Sequence, residues 1–218
     1  MSLSKNDEIR KKVKDFAIMA SHDNLENLNL KESEVKSQIS FYRENGASPK
    51  IMKHLEMNST RFGHFAESHT IKVFNLTKRS SPQHDCMFGT DKIEIKSSRY
   101  WNNTFDGKFQ HIEPSYDYGF IICMMLALEK THWYIISKSE MLKLYHKGVV
   151  KKQGKQGLWF TLENMKPYMS ELIYPEILEE YIQKMRDPNV EHMICKPDTG
   201  FKKRHDRVLR AIRRNVCS

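Results

Sequence analysis

Between His84 and Trp101 the chain reads HDCMFGTDKIEIKSSRYW, and it sets two carboxylates and an amine, Asp85, Glu94 and Lys96, into a stretch that otherwise alternates like an apolar β-hairpin. Half-buried strands ordinarily fill such positions with Thr, Tyr or branched apolar residues. Two acids beside one amine can share a divalent cation and hold a water next to it. Mg²⁺ takes oxygen ligands, commonly one or two carboxylates, and keeps its remaining positions for water and phosphate. That donor set suits phosphodiester hydrolysis, where negative charge grows on the phosphate as water attacks.

The chemistry depends on the hairpin bringing the three groups together. Side chains alternate across a strand, so Ile93 and Ile95 face one side while Glu94 and Lys96 face the other. A two-residue turn at Gly89-Thr90, with Gly supplying the positive φ of a type II′ turn, pairs Phe88 with Asp91, Met87 with Lys92 and Cys86 with Ile93. Asp85 then falls opposite Glu94, with Cβ atoms about 4.5–5.5 Å apart. A three-residue loop would shift this register and weaken the convergence. Facing carboxylates repel, and one of them gains a raised pKa unless a cation intervenes. A bound Mg²⁺ would resolve the repulsion, with the backbone carbonyl of Ile95 as a further ligand and Lys96 beside the water. An acid-x-Lys triplet occurs three times in the chain, at Glu34, Glu94 and Asp106. Only the one at Glu94 lies in an alternating strand behind a turn and an upstream Asp. The bland alternative is a surface hairpin with a Glu–Lys pair worth little.

The elements that must position this hairpin follow from hydrophobic periodicity and caps. A helix is expected over residues 5–20, and a second through Val35, Ile39 and Tyr42, opened by an Asn29–Glu32 capping box and stopped near Gly46. Ser48-Pro49 opens a third through Leu55; the pair around Gly46 reads as a helical hairpin or a helix-turn-helix. Phe62, Phe65, Ala66, His69 and Val73 mark a helix from Ser59, with Glu67 on its flank. Residues 77–83 read as a loop. Strands are expected at Tyr118–Leu126, a continuous apolar run of buried type, and at 131–137, with Ser139 capping a short helix to about His146. Pro175 opens a helix carrying Ile177, Leu178, Tyr181, Ile182 and Met185, and a basic helix is expected over 199–214. The fold class is α/β (α+β), a mixed central β-sheet flanked by helices, with helical additions at both ends. The divisions are a helical region at 1–58, the core at 59–146 and a basic, helical region at 147–218, together expected to form one compact domain.

The 218 residues carry a formal net charge of +9, with 29 % charged and 39 % apolar residues, which fits a globular protein with an anionic partner. From Lys196 onward eight basic residues face two acidic ones, a net +6. A second basic cluster is Lys147, Lys151, Lys152 and Lys155. The longest apolar run, 119–128, is too short to cross a bilayer, and the amino terminus lacks a secretory signal's apolar segment. Cys86, Cys123, Cys195 and Cys217 form no CxxC pair and read as reduced thiols, so the expected location is cytoplasmic with no membrane partner. His192, Cys195, His205 and Cys217 have spacings too loose for a zinc-site signature.

Glu67 on the helix before the hairpin, Asp85 on its first strand and Glu94-Ile95-Lys96 on its second resemble the PD-(D/E)xK nuclease superfamily, and type II restriction endonucleases in particular. IEIKSSRYW followed by KFQHI and YDYGFIICMM is similar to the continuation of such enzymes. The resemblance implies a restriction-endonuclease-like core in which Asp85 and Glu94 hold Mg²⁺, Lys96 serves the attacking water, and Glu67 assists at a second metal or in the outer shell. It implies a metal-dependent endonuclease of double-stranded DNA, sequence-specific and working as a homodimer on a palindromic site. Two departures stand out: His84 replaces the Pro before Asp85, and only eight residues separate Asp85 from Glu94. Gln110 precedes Tyr116 at a spacing that does not match the Gln-x-x-x-Tyr of recombination nucleases. Candidate DNA contacts are Ser97, Ser98, Arg99 and Gln110 beyond the site, and Lys151, Lys152, Gln153 and Lys155 in the basic loop. The alternatives are a DNA-binding protein without catalysis and a repair or recombination nuclease of the same superfamily.

Overall fold

The computed structural model describes residues 37–154 and 157–186. The expected helices at 5–20 and 199–214, the Asn29–Glu32 cap, Lys155 and the His192–Cys217 set lie outside the described residues. Helical backbone at residues 37–44 (α1) is followed by α2 (Pro49–Leu55) and α3 (Ser59–Val73). The caps follow the sequence. Gly46 closes α1 with φ +76°, Ser48 accepts from the Ile51 amide at 3.4 Å, and Asn58 accepts from the Arg61 amide at 2.9 Å.

Strands β1 (Thr77–Ser81), β2 (His84–Phe88) and β3 (Asp91–Arg99) form an antiparallel meander. β4 (Lys108–Ile112) leaves for a second sheet. β5 (Phe120–Leu126) returns parallel to β3, with Ile93 beside Phe120 and Lys96 beside Cys123. β6 (Thr131–Ser137) runs antiparallel to β5 and leads into α4 (Lys138–His146). The chain continues through β7 (Lys151–Lys152), β8 (Leu158–Thr161), α5 (Leu162–Met165), a 3₁₀ turn at Lys166–Tyr168, β9 (Ser170–Glu171) and α6 (Pro175–Arg186). Among the described residues the main sheet is six-stranded and mixed, in the order β1-β2-β3-β5-β6-β9, and a small sheet has the order β4-β8-β7.

Alternation along β3 and β5 assigns the two faces. Ile93, Ile95, Phe120 and Ile122 pack against the end of α3 and against Leu178 and Ile182 of α6. Met124 and Leu126 extend that face under α2 and α3, through Leu55, Phe62 and Ala66. Ile121, Cys123 and Met125 pack the other way, against Met141 and Leu144 of α4 and the inner residues of the small sheet. Glu94 and Lys96 share this second face by parity. Residues beyond 146 therefore contribute to both sheets and to the cover of both faces.

Three expectations change. Residues 77–83 are largely strand: β1 pairs with β2 at the sheet edge, and its polar TKRSS sequence carries no apolar alternation because that edge has no partner on its outer side among the described residues. The α4 cap is Ser137, which accepts from the Glu140 amide at 3.2 Å, while Ser139 bonds to Ser137 at 3.0 Å. The fifth strand starts at Phe120 because Tyr118 still belongs to the incoming turn, its N–H donating to the Tyr116 carbonyl at 3.2 Å.

Arg99, at the end of β3, joins the helices to the sheet. Its Nη2 donates to the carbonyls of His54 at 2.9 Å and Met57 at 2.7 Å, where α2 hands over to α3, and its guanidinium lies 4.1 Å from the Phe62 ring centroid. Burial lowers its pKa to about 10, so it remains charged at neutral pH. Arg99→Met is expected to lose about 3 kcal/mol of stability, read as a lower urea midpoint at unchanged m-value. Arg99→Lys should recover less than half, because an ammonium lacks the planar guanidinium that lies over Phe62 and the second nitrogen that reaches Gln38.

Candidate active site

The turn forms as its residues dictate. Gly89 has φ +59°, and Thr90 keeps a negative φ. Phe88 pairs with Asp91, Met87 with Lys92 and Cys86 with Ile93, the register of a two-residue loop. Backbone pairing of β2 with β3 stops there, one pair short of Asp85 and Glu94. In its place the Asp85 carboxylate accepts the Ile95 amide proton, Oδ2 to N at 2.7 Å. A side chain thus extends the ladder where the strands begin to part, and this holds Asp85 against β3.

Glu94 is 6 % exposed, and its Oε1 lies 2.6 Å from Lys96 Nζ, itself mostly buried. This is not the solvated surface pair of the bland alternative. Removing both ions from water is expensive, and the pair is kept only where attraction and geometry offset that cost. Asp85 is pushed up from the ordinary 3.8 to about 6, first by burial and next by the Glu94 carboxylate; the Ile95 amide and Lys96 pull the other way. The expected repulsion between the two acids is therefore present, and it falls on Asp85.

Glu67 stands at the margin of this cluster. Its Oε1 lies 3.4 Å from Lys78 Nζ on β1 and its Oε2 4.0 Å from His64, and its charge adds a small upward push on Asp85. It is coupled to the site electrostatically and tied structurally to β1.

The donor set fits Mg²⁺. Two carboxylates are close enough to perturb one another, and among the described residues Asp85 Oδ1 and Glu94 Oε2 carry no hydrogen bond or ion pair. The described residues contain no group of three or more His, Cys, Asp or Glu arranged for a metal, so an ion here would rely on these two acids, the Ile95 carbonyl and water. That is the way Mg²⁺ is usually held.

The candidate DNA contacts divide. Ser97, Ser98, Arg99 and Gln110 line one cavity of about 760 Å³, beginning one residue past Lys96. Within it the Nη atoms of Arg99 serve carbonyls and the Gln38 side chain, so its fork is spent on the fold. Lys151 and Lys152 are exposed on β7, and Gln153 is half-buried with its Oε1 unpartnered.

Two further residues stand beside the cluster, Tyr118 and His84. Tyr118 is 4 % exposed, its hydroxyl has no hydrogen-bond partner among the described residues, and its pKa is raised first by burial and next by Glu94. His84 is 6 % exposed, and neither ring nitrogen has a hydrogen-bond partner among the described residues. Only the position of His84 next to Asp85 offered a signal; Tyr118 reads from sequence as core.

Compared with known proteins, the chain matches no protein-family model and no curated protein sequence. Among the described residues no helix is long and apolar enough to cross a membrane.

Proposed function

We propose that the chain is a Mg²⁺-dependent endonuclease hydrolysing phosphodiester bonds of double-stranded DNA, in the manner of a sequence-specific type II restriction endonuclease acting as a homodimer. The observation that carries this reading is the buried Lys96–Glu94 pair beside an Asp85 whose pKa is raised to about 6. A protein that merely binds DNA has no use for two mutually repelling acids under cover. The mixed sheet, with α3 ahead of the β1–β3 meander, is compatible with a restriction-endonuclease-like core.

Mg²⁺, held by Asp85 and Glu94 with the Ile95 carbonyl, would supply the positive charge that offsets charge growing on the phosphate. Lys96, paired with Glu94 at 2.6 Å, holds the attacking water by hydrogen bond. The water oxygen bonds to phosphorus as the bond to O3′ breaks; the water gives up a proton to bulk solvent and the departing O3′ takes one from it, leaving a 5′-phosphate and a 3′-hydroxyl. Asp85 and Glu94 must both be ionised for this, which sets a lower pH bound near the raised pKa of Asp85.

Supercoiled plasmid incubated with the purified chain is expected to be cut with Mg²⁺ and left whole with chelator. Discrete fragments support sequence specificity, and a smear supports a repair or degradative nuclease. Plasmid that stays intact across divalent metals and salt, while still binding the protein, would sink the enzymatic reading and leave a DNA-binding protein.

A further inference from the structure

Beyond Lys96, β3 borders the 760 Å³ cavity, and none of the side chains lining that cavity is Asp or Glu. At its rim, alternation on β4 and β8 turns Phe109, Leu158 and Phe160 into the core and leaves Lys108 and Trp159 on the outer face. The outer residues interleave. Lys108 Nζ lies 4.6 Å from the Trp101 ring centroid and 4.4 Å from that of Trp159, and Lys151 Nζ lies 5.7 Å beyond Trp159. Trp101 is 43 % exposed and its neighbour Phe105 62 %.

An ordinary surface lysine swings freely in water. Lys108 is instead held between two indoles, keeping its charge while losing mobility, so it is a preorganised partner for a phosphate. An exposed and a half-exposed indole next to positioned lysines, beside a cavity lined without carboxylates among the described residues, have the composition of platforms that stack bases and neutralise the backbone between them. An intact duplex offers its phosphates to such a surface but keeps its base faces stacked inside.

We propose that the Trp101–Lys108–Trp159–Lys151 stripe binds single-stranded DNA through its unstacked bases, beside the bond cleaved at Asp85, Glu94 and Lys96. This rests on the nuclease reading for what happens to the strand, while the binding can be measured without cleavage. The chain has three tryptophans. Two are on the stripe; the third, Trp133, donates its indole N–H to Thr70 at 2.9 Å under α3. Intrinsic fluorescence therefore reports on the stripe.

The full chain is titrated in chelator with an oligothymidylate strand and with a duplex of equal length. Saturable quenching is expected, with affinity for the strand about tenfold above that for the duplex. Trp101→Ala should weaken strand binding about tenfold, and Lys108→Ala should also flatten its salt dependence. Circular dichroism confirms that each variant is folded. Absent quenching, equal affinity for strand and duplex, or wild-type strand binding by folded Trp101→Ala overturns the proposal. An uncut plasmid under Mg²⁺ together with strand-selective quenching overturns the nuclease reading and leaves the stripe standing.

Discussion

Replacing Lys96 with methionine is expected to slow plasmid cleavage by about 10²–10⁴ while leaving affinity for uncut DNA within about threefold. Lys96 Nζ is 2.6 Å from Glu94 Oε1, and both side chains are largely covered. The amine therefore stands where a water must be held if Asp85 and Glu94 share an ion, and methionine keeps its length without a donor. The same change strands a buried carboxylate beside Asp85. Breaking one half of a buried pair typically costs about 3–5 kcal/mol, so the variant should also melt earlier at neutral pH. Cleavage is to be compared at a temperature where circular dichroism shows both proteins folded. Wild-type rates from folded Lys96→Met would remove the catalytic role.

Asp85→Asn is expected to lose Mg²⁺-dependent cleavage and, in the same protein, to gain stability. Asparagine can still accept the Ile95 amide that Asp85 Oδ2 accepts at 2.7 Å, and it carries no charge toward Glu94. The sign follows from the raised pKa. Between the ordinary 3.8 and about 6 the folded carboxyl holds a proton that the unfolded chain has released. Stability contributed by this group therefore falls as pH rises through that window, and above it the full penalty applies, about 3 kcal/mol. The difference in melting free energy between Asp85→Asn and wild type should be near zero at pH 4 and reach that value by pH 7. Mg²⁺ should raise the melting temperature of the wild type at pH 7 and leave Asp85→Asn nearly unmoved. A pH-independent difference would show that Asp85 is not held under strain by Glu94.

What the sequence makes legible is local. Gly89 with alternation on either side predicts the turn, the register and the common face of Glu94 and Lys96, because each depends on neighbours a few residues apart. Ser48-Pro49, Asn58 and Pro175 announce helix starts for the same reason. The parting of β2 from β3 at Asp85 coincides with a register shift in the β1–β2 pairing between Lys78 and Ser81, which no local pattern encodes. β4 is hard to read because His111 takes φ +56° within a register shift, so alternation breaks mid-strand. β7 and β9 span two residues each, too few for any period. Arg99 looks like a polar strand end until the carbonyls of His54 and Met57, more than forty positions earlier, are brought to it.

The two acids meet across a reversal of two residues, whereas Ile93 reaches Phe120 only after the whole intervening segment has found its place. A hairpin of that kind closes within microseconds, while a distant parallel neighbour must wait for a longer loop to be gathered in. Asp85 and Glu94 therefore come together while still bathed in water, where their repulsion is weak. They lose that water when the later strand and the turn carrying Tyr118 settle beside Glu94. The electrostatic penalty thus arrives at the end of assembly, and consolidation of the cover, rather than formation of the hairpin, is the step that acidity or a divalent ion would hasten.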